Sequence, residues 1–175
     1  MLITRLPGHV EPYKLAARDE HLEGLMALDA FARLTEAVGP QQGDAAVWLD
    51  FTIDAQGRRV IQGRLRAELQ LPCRRCLTAM AQRVESEFLL GMVTSDALAA
   101  ELPSTHEPVL VENEQLNLLT VVEDELILSL PQVVYHDEAD CAVSRDQLTS
   151  GEEATASAAP APSPFDVLKH LKGKS

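Results

Sequence analysis

Three cysteines and one histidine are the residues best suited to hold a metal. Cys73 and Cys76 stand in Cys-Arg-Arg-Cys, and His136 and Cys141 stand in His-Asp-Glu-Ala-Asp-Cys. A Cys-x-x-Cys turn lets two thiolates reach one ion, and three sulfurs with one imidazole form a permissible structural zinc set. The His-x4-Cys spacing is permissive, and the distance between the pairs obliges the fold to bring them together. Read without metal, the same residues are a reduced thiol pair and an unrelated third cysteine. The odd number of cysteines does not suit a secreted disulfide framework. A thioredoxin-like redox role lacks its βαβ context, because the motif follows an arginine-rich strand.

The second chemistry is charge. The formal net charge is -12, which opposes coating of nucleic acid. The distribution is uneven, however. Between residues 58 and 83 stand seven arginines (58, 59, 64, 66, 74, 75 and 83) and one acid, Glu68. Between residues 84 and 153 stand sixteen acids and one base, Arg145. Arginine offers bidentate donors to phosphate and stacks on bases. Arg58, Arg59, Arg64, Arg66, Arg74 and Arg75 are therefore the candidates for contact with RNA or a partner. The plain alternative is a solvated strand face that offsets the protein's own acids. Glu123-Asp124-Glu125 resembles an acid-base or metal cluster, but neighbouring helix positions point in different directions. The expectation there is a solvated helix face. No P-loop, GxGxxG, GxSxG or HExxH stands in the chain. An enzyme, or a small-molecule substrate, is not expected.

The N-terminal residues lack the basic start and long apolar run of a signal peptide. The apolar runs near Leu89 and Val121 fall well short of the roughly 20 residues of a membrane span. A cytoplasmic protein, with no membrane partner, is the expectation by elimination.

Several elements must position these residues. Pro12 to Arg18 starts a short helix, and Leu28, Phe31, Leu34 and Val38 recur at helical spacing before Gly39-Pro40. Val47, Leu49, Phe51 and Ile53 alternate as in a half-buried strand. Asp54-Ala55-Gln56-Gly57 is a hairpin turn. A second strand carries Leu65, Ala67, Leu69 and Leu71 inward and Arg64, Arg66 and Glu68 outward, with Gly63 as a candidate bulge. After the Cys73 turn a third strand runs from about 77 to 93, so the cysteines sit in a strand-turn-strand knuckle. Asn117 caps a helix over about 118–130, ended by Pro131.

Residues 149–163 are rich in alanine, proline and serine and read as a disordered linker. Residues 164–175 read as an amphipathic helix that docks in cis or on a partner. The rest, residues 1–148, reads as one α+β domain. Its N-terminal helical part covers about 1–40, and an antiparallel sheet of about 47–111 has the 118–130 helix packed upon it.

Leu69-x-Leu71-x-Cys73-x-Arg75-Cys76-Leu77 resembles the central motif of the YceD family of large ribosomal RNA subunit accumulation proteins. The resemblance continues at Glu107-Pro108 and through Val122-Glu123-Asp124-Glu125-Leu126-Ile127-Leu128-Ser129-Leu130-Pro131. It extends to His136-Asp137, Cys141, and the closing Pro164-Phe165-x-Val167-Leu168-x-x-Leu171-Lys172. The resemblance implies a bacterial accessory protein for synthesis, processing or stability of large-subunit (23S) ribosomal RNA. It brings no active site with it. The expected partners are that RNA or its assembly factors. One alternative is an acidic module, or chaperone, that grips a basic ribosomal protein. Another is a nuclease that uses the Glu123 cluster.

Overall fold

The computed structural model describes residues 4–144 and 147. The chain divides into a unit over 1–142 and one over 143–175. The expected linker over 149–163 and helix over 164–175 lie outside the described residues.

Alternating side chains build the first unit. In β3 (Asp44–Ile53), Ala45, Val47, Leu49 and Phe51 are fully buried while Trp48 and Asp50 turn the other way. β4 (Arg59–Pro72) buries Ile61, Leu65, Ala67, Leu69 and Leu71 and sends Gln62, Arg64, Arg66, Glu68 and Gln70 outward. Period-two burial on both strands turns one sheet face to the core and the other to solvent. The β3–β4 turn is held by Asp54, whose Oδ1 accepts from the N–H of Gln56 at 2.9 Å and of Arg58 at 2.8 Å. Gly57 supplies the left-handed residue there, at φ 81°.

β5 (Ala79–Val93) pairs antiparallel with β4 along nearly its whole length, from Val60↔Gly91 to Pro72↔Ala79. β2 (His21–Ala27) flanks β3 on the other side, and the sheet order is β2-β3-β4-β5-β6. β6 (Glu107–Leu110) joins β5 in parallel, so the sheet is antiparallel up to its last strand. β1 (His9–Val10) and β7 (Leu116–Asn117) form a separate small ribbon.

The inner face is covered by α1 (Pro12–Ala17), α2 (Ala32–Val38) and α4 (Leu118–Leu128). A short α3 (Asp96–Ala99) lies beside β5 and β6. Phe31, Leu34, Leu118, Val122 and Leu126 meet the strand residues in one hydrophobic core. Asn117 caps α4 as expected, its side chain accepting from Thr120 N–H at 3.2 Å.

Three expectations need correction. The region 1–40 is not only helical, because β2 forms within it. Its signal is masked by Gly24, whose missing Cβ would sit 2.5 Å from the carbonyl oxygen of Thr4. That carbonyl accepts from Leu25 N–H at 2.8 Å, so residues 4–6 run along the outer edge of β2. Gly63 makes no bulge. It stays in register between Leu49 and Phe88, and a Cβ there would lie 2.0 Å from the Phe88 ring. The third strand begins at Ala79 and the helix ends at Leu128, two residues inside the expected bounds at each place.

Candidate metal centre

β4 ends at Pro72 and β5 begins at Ala79, which leaves six residues to turn the chain. Cys73 N–H donates to the Thr78 carbonyl at 2.9 Å, and Leu77 N–H donates to the Cys73 carbonyl at 2.9 Å. Closing so tight a turn puts Leu77 at φ 61°, a left-handed conformation that costs a side-chain-bearing residue on the order of 1 kcal/mol. Leu77 is correspondingly exposed, while Cys73 is fully buried.

The second pair reaches this turn on the segment that follows α4. Arg74 N–H donates to the Val134 carbonyl at 2.9 Å, which fixes the approach. His136 N–H then donates to Cys73 Sγ at 3.4 Å, as does Arg75 N–H. Asp137 turns the chain by accepting at its carbonyl from the N–H groups of Asp140 and Cys141, each at 3.0 Å. Cys141 Sγ arrives 4.0 Å from Cys73 Sγ, and His136 Nδ1 stands 3.3 Å from Cys76 Sγ.

The four ligand atoms of Cys73, Cys76, His136 and Cys141 all lie within 4.8 Å of one another. A tetrahedral site with metal–sulfur bonds near 2.3 Å would need sulfurs about 3.8 Å apart. The observed spacing therefore fits one ion with little rearrangement. The electrostatics also suit thiolate ligands. Burial opposes charge on Cys73, but the N–H groups of Cys76, His136 and Arg75 outweigh it and pull the thiol down to about 5. The Thr78 hydroxyl and N–H lower Cys76 as well. Hydrogen bonds to Cys73 and Cys76 raise His136. Arg75 lies almost buried against the cluster, paired with Glu138 and 5.8 Å from the Tyr135 ring centroid. Its cation offsets the negative charge that the sulfurs bring. The residues that the sequence offered as ligands thus meet and could hold a metal ion.

The six arginines do not meet. A strand rise of about 3.4 Å per residue puts Arg58 and Arg74 on the order of 50 Å apart. They also differ in direction and in partner. Arg58 Nε donates to Asp54 Oδ2 at 2.7 Å, and Arg59 stacks 5.0 Å over Tyr13 of α1 on the inner side. Arg64 stacks 4.7 Å over Trp48 on the outer face, and Arg66 Nε donates to Glu85 Oε1 at 2.7 Å. Arg75 belongs to the knuckle, and Arg74 is exposed at its tip. Much of the basic island is thus engaged within the protein, by acids at Arg58, Arg66, Arg75 and Arg83 and by aromatic rings at Arg59 and Arg64.

Glu123 and Glu125 depart from the expectation of a solvated helix face, since each is 6% exposed. Glu123 Oε1 accepts from the N–H groups of Arg33 at 2.6 Å and Leu34 at 3.0 Å, and Oε2 from Arg33 Nε at 3.0 Å. It therefore caps α2 from another helix, taking up backbone donors that Phe31, at the N-cap, cannot satisfy. Asp124 pairs with the same Arg33. Glu125 turns toward β5, where burial first, then the nearby charges of Glu107 and Asp124, push its carboxyl up to about 7 against a hydrogen bond with Ser86. Nothing in the local sequence marks the capping role, because its partners lie some 90 residues away.

The architecture and site define an α+β protein in which a Cys-x-x-Cys knuckle is closed by a distant His-x4-Cys segment. The family described as large ribosomal RNA subunit accumulation protein YceD matches residues 61–172. A relative from Haemophilus influenzae, named large ribosomal RNA subunit accumulation protein YceD, is 37% identical over 175 residues, covering 98% of each chain. No solved structure matches. The chain belongs to the YceD family.

Proposed function

We propose that this protein promotes accumulation of large-subunit (23S) ribosomal RNA as a non-catalytic accessory factor of ribosome assembly, acting in the cytoplasm. The observation that carries this reading is the end-to-end relationship to a protein of that name, with 37% identity across 98% of both chains. Among the described residues, no helix is long and apolar enough to cross a membrane.

In this reading the knuckle holds structural zinc. Four protein ligands close the coordination sphere of such an ion, which then ties the segment after α4 to the tip of the sheet. The non-catalytic assignment is supported by the use made of the carboxylates. Glu123 is occupied in capping α2, and Glu125 points away from it toward β5. Arg74, exposed at the knuckle tip, is the arginine we assign to contact with RNA or an assembly factor.

The test is depletion of the protein followed by measurement of the ratio of large- to small-subunit ribosomal RNA. A selective fall in the large-subunit RNA is expected. An unchanged ratio would overturn the reading, and magnesium-dependent cleavage of precursor RNA by the purified protein would overturn its non-catalytic part.

A second reading, a module that grips a basic protein partner, is favoured by a different observation. The arginines are largely paired internally, whereas Glu87 and Glu107 make no ion pair among the described residues.

A further inference from the structure

The two edges of the main sheet are treated differently. On β2, residues 4–6 lie along the edge, with Leu25 N–H donating to the Thr4 carbonyl and Leu6 N–H donating to that of Leu25. On β5, β6 pairs only with Leu90–Val93. Among the described residues, nothing pairs with the other side of β5 from Ala79 to Leu89. Every second residue of an antiparallel edge strand turns its N–H and C=O outward, so this stretch presents a ladder of donors and acceptors that no strand uses. Among the described residues, the Arg83 carbonyl alone accepts a bond there, from the Gln82 side-chain amide at 3.0 Å.

An open cleft of about 800 Å³ adjoins the same stretch. Leu89, Leu128 and Trp48 give it apolar walls, Glu87 and Glu107 give it exposed carboxylates, and the buried Glu125 lies behind them. Arg64, its one arginine, is already stacked on Trp48. Leu128 is 73% exposed at the cleft rim. Apolar walls ending in carboxylates match the methylene stem and cationic head of lysine or arginine.

We propose that the open edge of β5 over residues 79–89 receives an extended segment of a basic partner protein, which adds as a further strand and sets a lysine or arginine against Glu87 and Glu107. Main-chain hydrogen bonds supply the attachment, and the acidic cleft selects the charge. The charge of the cleft also sets this partner above RNA, whose phosphates those acids repel. The inference rests on the second reading above and gives it a surface.

The experiment uses the full chain and a soluble peptide of alternating lysine and threonine, with hydrogen exchange as the readout. Binding is expected to slow exchange at alternate amides of residues 79–89 by about tenfold or more, as new ladder bonds form. Reversing Glu87→Lys and Glu107→Lys together should weaken the peptide by about tenfold or more. Unchanged protection in the rest of the sheet would show that this double variant is folded. A peptide of alternating glutamate and threonine should leave the edge unprotected.

Four results with added ligand would overturn the proposal. They are protection confined to another strand, equal binding of the acidic peptide, equal binding by the double variant, and protection of the edge by a single-stranded polyuridine that the lysine peptide cannot match. Concentration-dependent protection of the edge in the protein alone would instead assign it to a second copy of the chain and also overturn the proposal. Because the readout involves no ribosomal RNA measurement, its failure is distinct from failure of the depletion test.

Discussion

Glu125 shows how one buried side chain can weigh on the whole fold. Its carboxyl titrates at about 7 in the native protein against an ordinary 4.5. Between those values the native state holds a proton that the unfolded chain has released. Stability therefore falls as pH rises through this window, and the cost of burying the charge is complete above about pH 7. Glu125→Gln keeps the shape and removes the charge. It is expected to unfold at higher denaturant than the parent at pH 8 and at nearly the same denaturant at pH 4.5. A difference that does not change with pH would mean that the carboxylate is not the cause. This residue and Glu123 mark a boundary of what a sequence discloses. The cluster that could hold a metal was legible because cysteine and histidine are few and their chemistry is narrow. Glutamate serves many purposes, and the partners of Glu123 are supplied by tertiary contact with α2.

At the level of elements, β3 and β4 were legible because sustained alternation, from Ala45 to Phe51 and from Ile61 to Leu71, admits little else. β2 was not, since a glycine needed for close approach of residues 4–6 interrupts its pattern. Gly63 misled for a related reason: a glycine inside a strand signals either a bulge or something large lying over it. Here the Phe88 ring lies over the bare backbone, which makes Gly63 and Phe88 one packing unit across β4 and β5. Gly63→Ala is expected to destabilise by about 1–3 kcal/mol, because the ring must leave its place in the core. The same substitution made in a Phe88→Leu background should cost much less, and a double-mutant cycle by denaturant unfolding measures the difference. Additive effects would mean that the ring moves aside freely.

For the molecule as a whole, the knuckle sets long-range connectivity. Cys73 and Cys141 are 68 residues apart, so an ion held by both closes a loop through β5, β6 and α4. By loop-closure entropy alone such a clip contributes on the order of 4 kcal/mol. The zinc-loaded parent should contain about one zinc per chain by elemental analysis. A chelator should bring its unfolding midpoint down to that of Cys73→Ser. A preparation that is metal-free, takes up no zinc and unfolds at the same midpoint would remove the ion from the account. The same separation has a meaning in time as well as in energy. A ribosome adds roughly 5–20 residues per second, so the two halves of the knuckle emerge several seconds apart. Through that interval Cys73 and Cys76 wait as a bare dithiol on a nascent chain, and the newborn protein can complete its site only after α4 has followed them out.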